Sequence, residues 1–226
     1  MHDAFALPRA FYDEGVRRYG FRGLSREYVT DLRAIAPSEA AGRVVVAHLG
    51  NGASMCAIRD GLSVASTMSF TALDGLAMGT RCGKLDPGVV LLLQEEKLDA
   101  GGARSSALRG VGIAGALRDM RELEASDTPQ ARQAIDYFVS RVRYELGGLA
   151  ATLERLDALV FCGGIGENSW CVRERVLEGM QWLGLESDAA ANRASARVIS
   201  TPASRVPAYV IRMEEYGHTA SQERSN

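Results

Sequence analysis

Two short apolar runs that each end in a group of glycines constrain the fold of this chain more than any other feature. Residues 44–49 are rich in β-branched side chains and lead directly into Gly50, Asn51 and Gly52. Such a run is typical of a buried strand, and the glycines after it can adopt positive φ and bring bare backbone N–H groups close to an anion. Asn-Gly is also a common tight turn, so an ordinary hairpin with a returning strand near Met55 is the alternative.

A second segment of the same kind follows farther along the chain. Residues 156–162 are apolar and end in a glycine-rich turn over 163–168, after which a helix is predicted over 169–180. The first N–H groups of such a helix carry a partial positive charge and would face whatever the turn encloses. Two strand-then-glycine turns in one compact chain indicate two walls of a nucleotide cleft.

The remaining periodicity predicts an α/β domain over residues 1–216 and a frayed tail over 217–226. Apolar residues recur at helical spacing in several segments and alternate at strand spacing in others. The predicted helices cover 7–19, 25–35, 86–97, 128–154 and 169–180, and the predicted strands cover 44–49, 54–58, 63–68, 157–162, 197–200 and 207–211. The helix over 86–97 is apolar nearly all round, which predicts that it is buried.

Two arginines in glycine-containing segments are candidate anion ligands. The stretch 71–83 is rich in glycine and small residues, too long for a simple turn and too poor in apolar side chains for a core element, so we expect its backbone to be shaped around a ligand. Arg81 is the candidate there, and Arg22 lies between two glycines near the N-terminus. Ordinary surface arginines are the alternative for both.

Acidic candidates lie in two other segments. Asp119 and Arg121 could bind ribose hydroxyls or an adenine edge, although the same residues also fit a local surface ion pair. Glu214 directly follows the last predicted strand, and a carboxylate at that end of a strand is well placed for a magnesium ion.

Composition excludes several classes of partner. The chain has 26 basic and 28 acidic side chains and a net charge of −2, which predicts no particular attraction for nucleic acid or anionic lipid. The four cysteines lack metal-ligand spacing and are interpreted as reduced thiols. No apolar run approaches the roughly 20 residues of a membrane span, and no leader pattern is present, so we expect a cytoplasmic protein with a small-molecule or protein partner.

The motifs occur in the order and spacing of the acetate and propionate kinases, and the chain resembles that family over nearly its whole length. The segments that carry the resemblance are Tyr19-Gly20-Phe21-Arg22-Gly23, Ala47-His48-Leu49-Gly50-Asn51-Gly52-Ala53-Ser54, Met78-Gly79-Thr80-Arg81-Cys82-Gly83, Asp119-Met120-Arg121, Gly164-Ile165-Gly166-Glu167-Asn168 and Glu214-Glu215. The resemblance implies a ribonuclease H-like fold of the actin-like ATPase superfamily, with a mixed sheet flanked by helices. It also implies phosphoryl transfer between ATP and a short-chain carboxylate such as acetate, with magnesium, in a homodimer.

The resemblance also assigns roles to individual residues. Arg81, with Arg22, would stabilise charge on the transferring phosphoryl group, and Glu214 would help to hold magnesium. Glycine turns, an arginine and a metal carboxylate are the parts that phosphoryl transfer asks of a protein. The residues that the resemblance places at ATP are His48, Leu49, Gly50, Asn51, Gly52, Asp119, Met120, Arg121, Gly164, Ile165, Gly166, Glu167 and Asn168.

The chain also departs from the family pattern. The family histidine of the first motif is Arg22 here, a second histidine is Arg26, an aspartate after the arginine loop is Lys84, and the asparagine before the final carboxylates is Met213. An arginine can neutralise phosphate charge but cannot exchange a proton near neutral pH. The segments that match are those of the family's second domain, so we expect the first domain to be missing.

Two hypotheses about function therefore stand. In the first, the chain is an acetate kinase-type phosphotransferase whose own activity requires the missing half. In the second, it is a non-catalytic remnant or regulatory module that retains nucleotide binding and a dimer contact. Losing a positioning domain removes near-attack geometry, which can supply about 7 to 11 kcal/mol of barrier reduction.

Overall fold

A computed structural model describes residues 4–19, 32–33, 36–96 and 119–212 of the chain. These ranges contain both helices and strands. The helices are α1 (Arg9–Asp13), α2 (Pro37–Ala40), α3 (Pro87–Glu96), α4 (Met120–Glu124), α5 (Pro129–Leu153), α6 (Gly163–Asn168), α7 (Trp170–Leu177) and α8 (Ala189–Arg193), with a 3-10 turn at Gln181–Leu183. The strands are β1 (Arg43–Leu49), β2 (Ala53–Arg59), β3 (Leu62–Ser66), β4 (Ala158–Cys162) and β5 (Ala208–Val210).

The strands form one mixed sheet with the order β3-β2-β1-β4-β5. The strands β1, β2 and β3 pair antiparallel as a meander, whereas β4 pairs parallel with both β1 and β5. Antiparallel neighbours can be joined by tight turns. The chain reaches β4, on the far side of β1, only through a long crossover from β3, which contains α5. The predicted α/β class and the predicted mixed sheet are therefore confirmed.

Both predicted hairpins are present. Leu49 pairs with Ala53, so Gly50, Asn51 and Gly52 form the turn between β1 and β2, and the hairpin alternative for this segment is correct. The next turn has positive φ at both Asp60 (52°) and Gly61 (76°), which is the backbone shape that matches the twist of a two-residue hairpin.

The sheet is buried on both faces. On β1, Val45, Ala47 and Leu49 face the larger apolar cluster, which also contains the inward residues of α5 and α7. Val44 and Val46 face a smaller cluster with Ala40 of α2. Burial on both sides explains why β1 and β4 appear in the sequence as continuous apolar runs rather than alternating ones.

The longest helix, α5, agrees closely with its prediction. Thr128 caps its first turn by accepting a hydrogen bond from the N–H of Ala131, and Pro129 occupies the first helical position. Glu154 ends the helix in a left-handed conformation with φ 66°. The apolar positions that face the large cluster are Ile135, Phe138, Val142, Leu146, Leu149 and Leu153, as the spacing predicts.

Several predicted boundaries are wrong. The N-terminal helix covers only Arg9–Asp13 instead of 7–19, because it buries no residue and Gly15 leaves it with φ 95°. The predicted strand over 197–200 contributes only isolated bridges, Val198 with Tyr209 and Ser187 with Ser200. Most of the helix predicted over 25–35 lies outside the described residues.

The prediction that the helix over 86–97 is buried is also wrong. Asp86 caps α3 as expected, with its carboxylate accepting the N–H of Gly88 at 2.7 Å. However, the apolar side chains of the helix stay in contact with solvent, and Leu91 is 58% exposed. The apolar content of α3 indicated burial, but within the described part of the chain the core forms around the sheet and α5 instead.

Among the helices that the structure describes, none combines the length and the hydropathy needed to cross a bilayer.

Candidate functional site

The Gly50 turn and the segment 163–168 both follow strands that end at one edge of the sheet. The strand β3 is antiparallel to β2, which is antiparallel to β1, so β1 and β3 run in the same direction. The strands β4 and β5 also run that way. The carboxyl ends of four strands therefore lie at one edge, where ligands bind in open α/β sheets.

The two glycine segments touch at this edge. A Cβ built on Gly50 would lie 3.7 Å from the backbone nitrogen of Gly164. A Cβ built on Gly163, which has φ 75°, would lie 2.9 Å from the carbonyl oxygen of Leu49. Only glycine permits both the positive φ and this close approach, so the contact between the two backbones depends on residue 163.

The segment 163–168 is a helix rather than the predicted turn. It starts immediately after β4, and the Glu167 carboxylate accepts the N–H of Gly163 at 3.0 Å, which satisfies one of the donors at its start. Ser169 ends α6 and caps α7, where its hydroxyl accepts the N–H of Val172 at 3.1 Å. The helix N-terminus beside the Gly50 turn therefore belongs to α6 and not to the predicted helix over 169–180.

His48 lies beside both glycine segments. Its ring is half-buried, with Nε2 3.2 Å from the position of a Cβ on Gly163 and Nδ1 3.9 Å from the Cys162 sulfur. Burial lowers the pKa of the His48 imidazole, and the nearby Glu167 carboxylate partly opposes the shift. His48 is therefore neutral at neutral pH and can take part in hydrogen bonds without adding charge.

Arg81 lies on the loop that follows β3, and this loop leaves the sheet at the same edge. Its guanidinium is half-buried, and Nη1 donates to the carbonyl oxygen of Ala72 at 3.2 Å. The N–H of Met78 donates to the carbonyl of Arg81 at 2.9 Å and so closes a turn over residues 78–81. The side chain is thus oriented from within its own loop.

That loop is tied to the core, contrary to the expectation that it is too poor in apolar side chains to take part. Leu76 and Met78 belong to the large apolar cluster. Gly75 and Gly83 have positive φ, and a Cβ on Gly83 would lie 2.6 Å from the carbonyl of Leu76. These contacts fix the loop backbone from which the Arg81 side chain extends.

Asp119 and Arg121 form a local ion pair. The Asp119 carboxylate caps α4 by accepting the N–H of Arg121 at 2.9 Å, and it accepts the guanidinium of the same residue at 2.6 Å. These hydrogen bonds hold the pKa of Asp119 at about 2. Met120 between them points into the large cluster. The surface-pair alternative therefore describes the geometry here, and a ligand would have to compete with Arg121 for the carboxylate.

A short contact connects this segment to α6. The Ser169 hydroxyl donates to the Glu124 carboxylate, which places the end of α4 at the junction of α6 and α7. Since α4 has five residues and a helix rises about 1.5 Å per residue, Asp119 lies roughly 8 Å along the helix axis from Glu124.

The predicted site residues differ in exposure. Leu49 and Gly166 are buried, and Ile165 packs against the large cluster, so these three offer a ligand little but backbone. The exposed members of the set are Asn51, Gly52, Arg121, Gly164 and Asn168. Arg22 and Glu214 lie outside the described residues, as do Arg26 and Met213.

The glycine edge leaves part of its backbone open to solvent. Cβ atoms built on Gly52 and Gly164 would meet no described atom within 4 Å, so both backbones border open space beside the contact between the two segments. The described ranges contain no cluster of three His, Cys, Asp or Glu side chains. Proteins usually hold Mg²⁺ through one or two carboxylates together with substrate phosphates, and the predicted carboxylate, Glu214, lies outside the described residues.

Arg173 is a residue that sequence reasoning missed. It lies on α7 between the inward-facing Val172 and Val176, is fully buried, and donates to the carbonyls of Gly166 and Glu167 in α6. The spacing of apolar residues identified the inward face of α7 but gave no reason to place a charged side chain beside it.

Comparison with known proteins identifies the family. Residues 2–220 match the acetokinase family. The chain is 66% identical to an acetate kinase of Methylocella silvestris over 97% of its own length. Its fold superposes on the crystal structure of Porphyromonas gingivalis acetate kinase with a TM-score of 0.89 and 33% identity over 99% of the chain. A propionate kinase from Francisella tularensis gives a TM-score of 0.84, also at 33% identity, over 93% of the chain.

The chain spans only part of these relatives, covering 56% of the Methylocella protein and 59% of the Porphyromonas chain. The matching region has the ribonuclease H-like fold of the actin-like ATPase superfamily, as expected from the motifs. On the family match, the sequence identity and the shared fold together, the chain belongs to the acetokinase family.

Proposed function

We propose that this chain binds ATP and ADP at the carboxyl edge of its sheet and serves phosphoryl transfer between ATP and a short-chain carboxylate such as acetate. The observation that carries the proposal is the contact between the Gly50 turn and α6, with the backbones of Gly52 and Gly164 unobstructed on either side of it. Membership of the acetokinase family supports the reaction class. By the same family membership we expect a cytoplasmic homodimer that uses magnesium, with Glu214 as a ligand.

The chemistry assigned to the described residues is binding and charge stabilisation. Backbone N–H groups of the Gly50 turn and the start of α6 would bind phosphate oxygens, which is a common role of such backbone segments. Arg81 would offset negative charge on the transferring group, and neutral His48 would donate or accept a hydrogen bond without changing the net charge. Phosphoryl transfer depends mainly on positioning and electrostatic stabilisation of this kind.

Calorimetry on the 226-residue chain tests the binding part of the proposal directly. We expect ATP and ADP to bind at millimolar concentration or below. A Gly52→Val variant adds a side chain in the open space beside the turn and should abolish binding while leaving the melting temperature unchanged. Absence of binding to the wild-type chain would contradict the assignment of both glycine segments.

A hydroxamate assay with ATP and acetate tests the catalytic part. If the chain turns over, Arg81→Ala should lower kcat by about 100-fold or more, since one charge-stabilising donor is typically worth that much. Arg155→Ala is the matched control, because Arg155 pairs with Asp157 next to the amino end of β4, away from the site. Nucleotide binding without turnover would favour the second hypothesis, a non-catalytic nucleotide-binding module.

A further inference from the structure

The guanidinium of Arg173 is buried completely, and all its donors are used. Nε donates to the Asn192 side-chain oxygen at 2.8 Å, and Nη2 donates to the Asn192 carbonyl at 2.8 Å and to the Ser195 hydroxyl at 2.9 Å. On its other side, Nη1 donates to the carbonyls of Gly166 at 2.8 Å and Glu167 at 2.9 Å. One side chain therefore joins α6 to α8 through α7.

The helix α6 needs such support. It contains Gly163, Gly164 and Gly166 in only six residues, and both short length and glycine content disfavour a helix. The carbonyls at the end of a helix have no partner within it. Arg173 binds two of these carbonyls, and its positive charge lies at the end of the helix where the backbone dipoles favour a cation.

The opposite side of the guanidinium is held rigidly. Asn192 is itself fully buried, and its side-chain nitrogen donates to the carbonyl of Trp170 at 2.9 Å. Ser195 has φ 47°, which places its hydroxyl just beyond the end of α8. The carbonyl of Trp170, at the start of α7, fixes Asn192. Because Arg173 is hydrogen-bonded to this fixed residue, its contacts with α6 restrain the position of that helix.

The charge of Arg173 has no carboxylate partner among the residues that the structure describes, since the acceptors named above are all neutral oxygens. Burial, together with a smaller contribution from the nearby positive charge of Arg212, lowers the pKa of Arg173 to about 10. The side chain is still protonated at neutral pH. A buried charge without a counter-ion is costly and requires the complete set of hydrogen bonds, so a shorter or less branched cation cannot replace it at equal cost.

We propose that Arg173 is a positioning residue of the nucleotide site: by binding the Gly166 and Glu167 carbonyls, it holds α6 against the Gly50 turn in the conformation that contacts ATP or ADP. The inference rests on the proposed function of these two segments. Arg173 itself touches no substrate in this arrangement.

The decisive variant is Arg173→Lys, which keeps the charge but loses the planar fork of donors. We expect calorimetry to show ADP binding weakened by about tenfold or more, since small displacements of binding groups have effects of this size. Amide hydrogen exchange without nucleotide should speed up at 163–168 by a similar factor, while exchange in α5 stays unchanged. Arg175→Lys on the same helix is the control, because Arg175 pairs with Asp136 of α5 and should leave both readouts unaltered.

Unchanged ADP affinity and unchanged exchange at 163–168 in Arg173→Lys would overturn the proposal. If that variant unfolds, so that α5 also exchanges faster, Ser195→Ala decides: it removes a single acceptor and should speed exchange at α6 and weaken ADP binding by about threefold. No change in either readout would then overturn the proposal. If the wild-type chain binds no ADP, the proposed function fails, and the nucleotide role of Arg173 fails with it. Hydrogen exchange then tests the positioning contact separately: faster exchange of α6 in Arg173→Lys would show that Arg173 still holds this helix.

Discussion

Gly163 and His48 meet where β1 and β4 end, and both positions restrict which residue can occupy them. Gly163 has a left-handed backbone against the Leu49 carbonyl, which only glycine tolerates, and the imidazole of His48 is partly removed from water. Burial of a titratable group is common at binding sites. At the scale of single residues, this junction is where substitution should have the sharpest effects.

Replacing Gly163 by alanine should destabilise the fold by about 3 kcal/mol, because the new Cβ combines left-handed strain with a clash against backbone. The matched variant is Gly164→Ala, whose Cβ meets no described atom within 4 Å. Inside α6 it should be neutral or stabilising by up to about 1 kcal/mol. Urea denaturation measures both free energies of unfolding, and equal destabilisation in the two variants would contradict this reading of the junction.

Stability should depend on pH through His48. Its folded pKa is lowered from the ordinary value near 6.5, so the unfolded chain binds more protons below that pH and stability falls as the pH drops through about 6.5 toward the folded pKa. A His48→Gln variant lacks the titrating imidazole. Denaturation at several pH values between about 7.5 and 5 should therefore show the wild type losing more stability than the variant, and parallel curves would exclude the effect.

At the scale of elements, the ends of helices are held by arginines from other parts of the chain. Arg173 binds the carbonyls at the end of α6, and Arg43 and Arg59 do the same for α5. At α5 the Glu154 carboxylate pairs with both arginines. Cations at the ends of helices satisfy unpaired carbonyls and interact favourably with the helix dipole.

Arg43→Met tests this arrangement at α5. The Arg43 side chain is 24% exposed, and its Nη1 lies 2.7 Å from the carbonyl of Leu153. Its loss leaves that carbonyl without this donor, so we expect a cost of about 1 to 2 kcal/mol by thermal or urea unfolding. Arg132→Met, at an exposed position near the start of α5, should change stability by less than about 0.5 kcal/mol. Similar effects of both substitutions would rule out a specific role at the helix end.

At the scale of the whole molecule, the sheet separates two apolar clusters of unequal size. The larger one lies under α5 and α7, and the smaller one lies under α2. Successive residues of β1 point into different clusters, so neighbouring valines pack on opposite faces of the sheet. The long helix on one side is fixed by many contacts, whereas the four-residue α2 has fewer means of resisting a shift.

Val45→Ala and Val46→Ala make a matched pair, because both side chains are almost fully buried, at 0% and 2% exposure. The cavity under α5 should collapse less than the cavity under α2, and the cost of a cavity depends on such collapse. We expect a loss of about 2 to 3 kcal/mol for Val45→Ala and about 1 kcal/mol for Val46→Ala. Chemical denaturation gives both values, and a larger loss at Val46 would contradict the assignment of the rigid side.

The sequence by itself determined the main elements and the motifs of the site. The apolar runs at 44–49 and 156–162 favour strands buried on both faces, and the capping pair Thr128-Pro129 marks where α5 begins. These signals are local, since they depend on periodicity, caps and glycine content over a few residues. The glycine segments were identified for the same reason.

Only the tertiary structure decided what those segments do in space. Whether 163–168 is a turn or a helix depends on Arg173 and Glu167, which supply partners that local propensity does not contain. The exposure of α3 and the burial of Leu76 depend on which segments pack against the core. The contact of Gly50 with Gly164 depends on β1 and β4 being parallel neighbours, because that pairing alone brings their carboxyl ends to the same edge.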